Sequence, residues 1–331
     1  MQYRLLGVGT DIEVFLKDKK GNPYPVCGLL GGTKEKPRET PLGPGFTVQE
    51  DNVMAEFNVP PAHDSDAFVY QLNLMKGHLT QYFKQHKLDL AICPSMLFDP
   101  SQLMSPQARK FGCEPDYDVW TLNENEIDTE NPALRRLRTA GGHIHVSFEV
   151  DSRAPELSET FLVVKMMDLF LGVPSIYADT DSRRRQFYGR PGAFRVKQYS
   201  KDCHGIEYRT LSNFWFGYED WMYYVFEAVR QAFSNINHMH SAESKLDSKQ
   251  ELIHLAINEG NREAAGHLLS HFGIRRMQSL EELMAMEALT KAKTRKPKPR
   301  IPDWLTLGAV SFDSPPAIID DDDEDDVADH G

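Results

Sequence analysis

The residues with the clearest chemistry come in pairs, two positions apart. Asp11-Ile12-Glu13-Val14, Glu56-Phe57-Asn58-Val59, His143-Ile144-His145-Val146 and Glu207-Tyr208-Arg209-Thr210 each set two polar groups among mostly apolar or aromatic neighbours. In a strand, where side chains alternate, both members of such a pair face the same side. Four of these strands in one sheet would gather carboxylates, imidazoles, an amide and a guanidinium on a single polar face. Such donors suit a hard divalent cation such as Mg²⁺ or Mn²⁺ better than zinc, which would want three or four nitrogen or sulfur ligands. Gly141 and Gly142, just before His143, let the backbone run close to a ligand. Singly, each pair has a plainer account: a solvent-facing strand edge for Asp11 and Glu13, a salt bridge for Glu207 and Arg209, a structural or zinc role for the two histidines.

A second group is basic. Ser182 to Arg195 carries Arg183, Arg184, Arg185, Arg190 and Arg195 among glycines and aromatics, in a chain of formal net charge -12. This stretch reads as a flexible clamp, since guanidinium forks bind phosphates and carboxylates in bidentate fashion. A surface loop paired with acidic neighbours is the alternative. Metal, arginines and the glycine-rich loop Leu29 to Gly45 together are the equipment for a nucleoside triphosphate. There is no GxxxxGK[ST] loop, and the GxGxDxE run from Gly7 to Glu13 is not followed by a helix, so neither common nucleotide fingerprint applies.

The elements that must hold these groups follow from periodicity. A strand is expected from Tyr3 to Leu16, then a turn at Lys17 to Pro23 and a hairpin from Phe46 to Asn58 turning at Asp51-Asn52. Asp64 or Ser65 caps a helix running to about His86, with Phe68, Leu72, Met75 and Leu79 inward. Leu88 to Phe98 reads as a strand. An irregular segment follows, through Cys113 to Trp120 and the acidic Asn123 to Glu126. A helix from Pro155 to Val173 buries Leu157, Phe161, Val164, Met167 and Leu171. Further helices are expected at Tyr218 to His238, Lys249 to Phe272 and Ser279 to Lys291. The basic, proline-broken run Lys293 to Arg300 reads as an extended linker, and the acidic tail after Ser314 as disordered.

At 331 residues, 40% hydrophobic and 26% charged, the chain has the makings of a soluble globular enzyme. The acidic balance argues against general nucleic-acid binding. Cys27, Cys93, Cys113 and Cys203 form no CxxC pair, which points to reduced thiols in cytoplasm. No stretch reads as a signal or a membrane span.

The order GxDxE, a glutamate strand, GGHIHV, YGRPGAFR and GIEYRTLSN, spanning Tyr3 to Asn213, resembles the carboxylate-amine ligases of the glutamine-synthetase and glutamate-cysteine-ligase superfamily. It is most similar to the COOH-NH2 ligase type 2 found in tailed phages. The resemblance implies an α+β fold: a curved, mostly antiparallel sheet of glutamine-synthetase-like catalytic type, with helices packed on its outer face. It implies a metal set of Asp11, Glu13, Glu56, His143 and Glu207, with Asp at the doublet's first position where the family has Glu. His145, Arg183 and Arg185 are then candidates for the nucleotide, and Arg209, Arg190, Arg195 and Glu50 for catalysis. The cofactors implied are ATP and Mg²⁺ or Mn²⁺. The partners implied are small-molecule or peptide carboxylate and amine substrates, without membrane, in the host cytoplasm if phage-encoded. No N-terminal domain like that of bacterial glutamine synthetases is recognisable, so their dodecameric ring is not expected, while a homo-oligomer stays open. The expected domains are 1–240 catalytic, 241–292 a helical extension, and 293–331 the basic linker and acidic tail. The leading function is an ATP-dependent ligase forming an amide or peptide bond through an acyl phosphate. The alternatives are a divalent-metal-dependent hydrolase and a non-catalytic phage accessory protein.

Overall fold

The fifteen-residue strand β1 (Tyr3–Lys17) is paired on both sides in the computed structural model. It takes strand β10 (Gly142–Val150) along one side and β5 (Met54–Ala62) along the other, both antiparallel. The structure describes residues 1–109, 116–125, 131, 135–239 and 241–293. Outside them lie Cys113, Glu114, Pro115 and Glu126, the basic run beyond Lys293 and the acidic tail. Residues Met1–Met284 form one compact unit; of the second, Ala285–Gly331, the described part is helical.

Among the described residues the main sheet runs β3-β4-β5-β1-β10-β12-β11-β8. The strands not yet placed are β3 (Arg38–Glu39), β4 (Thr47–Asp51), β8 (Tyr117–Asp118), β11 (Ala193–Ser200) and β12 (Cys203–Tyr208). Strands β2 (Pro23–Tyr24) and β6 (Asp89–Ala91) pair with the far end of β1, and β7 (Ser95–Leu97) with β9 (Leu137–Thr139) in a separate ribbon. The α+β class, an antiparallel sheet flanked by helices, is as expected, but the curved sheet of glutamine-synthetase type is not. The sheet is open, neither curled nor closed, with β3 at one edge and β8 at the other. Each edge strand pairs over only two residues, too short to carry a hydrogen-bond ladder round to the opposite edge.

One face of the sheet is apolar. Ile12 and Val14, Phe57, Ile144, Val146 and Phe148, and Ile206 and Tyr208 are all buried, against α1 (Ser65–Gln85), α3 (Leu157–Met167) and α6 (Glu219–His238). Phe68 of α1 stacks on Trp215, and Phe148 meets Phe233 of α6 edge-on at 5.3 Å. Asp64 caps α1 by accepting from the Ala67 N–H at 2.8 Å, which fixes where the helix begins.

Several elements differ from the periodicity reading. Leu88 to Phe98 is two short strands, β6 and β7, parted at Pro94, which has no N–H for a ladder. Lys249 to Phe272 breaks into α8 (Gln250–Glu259) and α9 (Arg262–Phe272) at Gly260, whose φ of +63° is left-handed. In α3, Leu157 is exposed and the buried stripe is Val163, Val164, Met166 and Met167. The arginine clamp is not a loop: Asp181 caps the short helix α5 (Ser182–Phe187), and β11 follows with Phe194 inward. The remaining helices are α2 (Pro106–Arg109), α4 (Val173–Ser175), α7 (Ala242–Asp247) and α10 (Leu280–Lys293). None of the described helices is long and apolar enough to cross a membrane.

Between α3 and α4 lies a π-helical turn, Asp168–Gly172. Asp168 is fully buried and accepts from Trp120 Nε1 at 2.7 Å and Tyr208 Oη at 2.8 Å. Burial lifts its carboxyl to about 7, the two donors opposing. An acid whose folded pKa lies above its unfolded one binds extra protons in the native state, so stability falls as pH rises from about 4 to 7. For Asp168→Asn, urea midpoints measured across that range should lose this slope, worth roughly 4 kcal/mol in the parent at 1.36 kcal/mol per unit.

Candidate active site

The opposite face of the sheet is polar because register carries each doublet onto it. Asp11 stands opposite His143 and Asn58, Gly9 opposite His145, Glu13 opposite Glu56, and Glu207 between His145 and Arg195. A bulge between Leu5 and Gly7 sets the parity of β1 that makes this so. Two further strands join the face: β4 contributes Gln49 and Asp51, and β11 contributes Arg195, Lys197 and Tyr199. A cavity of about 680 Å³ opens over this face, lined by Asp11, Glu13, Glu56, His143, Glu207 and Arg209 among others.

Glycines bring His143 in. A Cβ on Gly141 would lie 2.2 Å from His143 Nε2, and one on Gly142 would meet Ser212 O and Trp215 Nε1 at 2.6 Å. The turn is pinned to β1: Gly141 N–H donates to Glu13 Oε2 at 2.6 Å, and Asn213 Nδ2 donates to the Glu13 carbonyl at 2.7 Å.

Charge on the face is divided. At one end Glu13, Asp51 and Glu56 crowd together. Burial, with their mutual repulsion, lifts Glu13 to about 8 and raises Asp51 and Glu56. At the other end Arg209, itself buried, donates through Nε to Asp116 Oδ2 at 2.9 Å and contacts Glu207 Oε1 and Tyr188 Oη. Glu207 also pairs with Lys197 Nζ at 2.6 Å and Arg195 Nη1 at 3.4 Å. Between the ends sits Asp11, with Oδ1 2.9 Å from His143 Nδ1 and Oδ2 3.2 Å from His145 Nε2. Burial opposes its ionisation, but the two imidazoles outweigh it and hold Asp11 well below the usual carboxylate range. Burial and the Arg209 guanidinium push His143 below the usual imidazole range.

Among the described residues, the group whose ligand atoms all lie within 4.8 Å of one another is Asp11, His145 and Glu207. Two carboxylates and one imidazole fit a hard divalent cation and leave coordination positions for phosphate or water. His143, expected in the metal set, is adjacent but stands outside this group; Glu13 and Glu56 lie at the acidic end. Glu50 lines the cavity while accepting from the N–H groups of Gly28, Leu30 and Gly31, each at 2.8 Å, and from Gln107 Nε2 at 2.9 Å. It therefore straps the loop whose Lys34 and Glu35 wall the cavity. Of the arginines, Arg195 reaches the cavity. Arg183 is paired with Asp181, Arg185 is buried against Asp179, and Arg190 is exposed away from the lining, with its carbonyl accepting from Thr210 Oγ1. Arg184, which the phosphate reading passed over, is buried and donates to the carbonyls of Thr210 and Leu211, bracing the end of β12.

Residues 135–294 match the family model of the phage phiEco32-like COOH.NH2 ligase-type 2. Over that stretch, just under half of the chain, the sequence is similar to that family. The match takes in His143, His145, Arg195, Lys197, Glu207 and Arg209, so half of the polar face comes from the matched residues and half from β1, β4 and β5 before them. No curated protein matches the chain. Similar solved structures include a novel glutamine synthase homolog, at 11% identity and a TM-score of 0.38, covering 82% of this chain and 66% of that one. Another is Plasmodium falciparum glutamine synthetase, at 9% identity and a TM-score of 0.34, covering 69% and 51%. The chain thus spans less than two thirds of either, and at these scores the likeness carries no argument.

The doublet rule missed Asp51, Asp116, Tyr188, Lys197 and Tyr199. The last two were within its reach, since Arg195, Lys197 and Tyr199 alternate with Phe194, Val196 and Gln198. Asp116 and Tyr188 approach Arg209 from distant segments, and no spacing in the chain announces them. The steric demand at Gly141 is testable: Gly141→Ala should lower stability by ~1–3 kcal/mol, the usual cost of overpacking, in chemical denaturation.

Proposed function

We propose that the chain is an ATP- and Mg²⁺-dependent carboxylate-amine ligase acting through an acyl phosphate. The observation that carries this reading is the Asp11, His145 and Glu207 group, whose two carboxylates line one cavity between its cationic and its acidic end. Asp11, His145 and Glu207 would hold a divalent cation there, which would supply Lewis-acid withdrawal of charge from a bound phosphate. The γ-phosphoryl group of ATP passes to the substrate carboxylate; the amine nitrogen then attacks the acyl carbon, and phosphate leaves to give the amide. Arg209, fixed by Asp116 and Glu207, and Arg195 and Lys197 beside it, offset charge on the phosphoryl oxygens. The opposite end suits the amine. Whichever of Glu13, Asp51 and Glu56 is ionised attracts an ammonium group, and its raised proton affinity equips it to take the proton that the nitrogen must shed. The walls at Gly31 to Glu35, strapped by Glu50, would limit water that could hydrolyse the acyl phosphate.

ADP release measured with Mg²⁺ and panels of amino acids, peptides and polyamines tests the reading. A carboxylate and an amine should both be required, and Glu13→Gln should slow release about 10²-fold or more, as loss of an acid-base group commonly does. Parent-like release by that variant would remove the acidic end from the mechanism. Turnover of an amide or phosphoester without nucleotide would favour a metallohydrolase instead. Asp116→Asn, which frees the Arg209 fork from its charged partner, should cost roughly tenfold or more in kcat/KM, of the order of one charged hydrogen bond.

A further inference from the structure

Both imidazoles of the face touch Asp11, yet their outward nitrogens have different partners. His145 Nδ1 lies 3.1 Å from Tyr199 Oη, and Tyr199 Oη lies 2.7 Å from the Ile206 carbonyl oxygen. A carbonyl can only accept, so the single phenolic proton of Tyr199 is committed to Ile206. Its oxygen can then only accept from His145, which places a proton on Nδ1. Nε2 of His145 is buried, makes no hydrogen bond among the described residues, and lies 3.2 Å from Asp11 Oδ2. An orphaned buried imidazole nitrogen beside a carboxylate is the arrangement that a cation would complete, and Glu207 belongs to the same group. Chemically His143 is the opposite case. Its Nδ1 lies 2.9 Å from Asp11 Oδ1 and 3.4 Å from Arg209 Nη1, while Nε2 is turned toward Tyr188 Oη, so both of its nitrogens already have protein partners.

We infer that Tyr199 is a positioning residue that sets the tautomer of His145, so that Nε2 of His145 is the imidazole ligand of the divalent cation and His143 orients Asp11 instead. The inference rests on the metal in the proposed function. β11 and β12 supply the geometry: Tyr199 sits near the end of β11, and the Ile206 carbonyl belongs to the adjacent strand, so the relay is anchored in the ladder itself. Partners of this kind, which fix a ligating histidine from behind, typically contribute 10- to 100-fold to metal affinity.

The test is Mn²⁺ titration by calorimetry, together with ¹⁵N-¹H correlation of the histidine rings in the Mg²⁺-loaded protein. In the parent, the His145 ring should carry its proton on Nδ1 alone. Tyr199→Phe, which removes one oxygen and keeps the ring, should blur that signature and weaken Mn²⁺ binding 10- to 100-fold, with the His143 signals unchanged as the mark of an intact fold. His143→Gln should retain Mn²⁺ binding better than His145→Gln. A proton on Nε2 of His145 in the loaded parent, or equal Mn²⁺ affinity in parent and Tyr199→Phe, would overturn the inference while leaving the metal in place. A parent that takes up neither Mn²⁺ nor Mg²⁺ would overturn the metal in the proposed function, and the inference with it.

Discussion

Like charges held together out of water dominate this structure. Asp11, Glu13, Asp51, Glu56 and Glu207 share one face of one sheet, and the protein neutralises them unevenly. Glu207 has Arg209, Lys197 and Arg195 around it, and Asp11 has two imidazoles. Glu13, Asp51 and Glu56 have far less, and they hold their protons more tightly as a result. A face so divided costs folding energy, since burying a poorly compensated carboxylate is unfavourable. The apolar face behind it must supply the stability. Phe57, Phe148, Ile144 and Val146 alternate with the charged residues on the same strands, so the site and its support are two sides of one ladder.

That alternation is why much of the site could be read before the structure. Asp11 and Glu13, Glu56 and Asn58, His143 and His145, and Glu207 and Arg209 each carry a period of two, and antiparallel pairing turns the period into a shared face. The helix from Asp64 was equally legible, because a capping carboxylate and a regular apolar stripe are local signals. What resisted reading was set by distance in the chain. Asp116 meets Arg209 across 93 residues and stands next to acidic neighbours that look solvated. The shape of the sheet was misjudged for a related reason: whether its edges curl toward each other depends on strands β3 and β8, each two residues long and indistinct in sequence.

The arginine-rich stretch shows how composition can mislead about role. Five arginines suggest a phosphate clamp, yet each has a distinct environment. Arg184 donates to main-chain carbonyls at the end of β12, Arg185 is turned to Asp179, and Arg183 caps its own turn with Asp181. Arg195 reaches the cavity because it falls on the polar parity of β11. A guanidinium presents five donors in a fixed fork, so it serves equally well to tie backbone together. Position on the ladder, rather than number of arginines, decides which of them can meet a ligand.

The double pairing of β1 also has a consequence for how the chain comes to be folded. Its partner β10 lies more than 130 residues later, and the Glu13 carbonyl waits for Asn213, 200 residues on. Contacts so remote in sequence carry a large loop-closure cost and form slowly. On a ribosome, the N-terminal strand with its two carboxylates would emerge long before the strands that complete the face. Within the first fifty residues only the short pairings of β1 with β2 and of β3 with β4 can close, while the long ladders of β1 wait for β5 and β10.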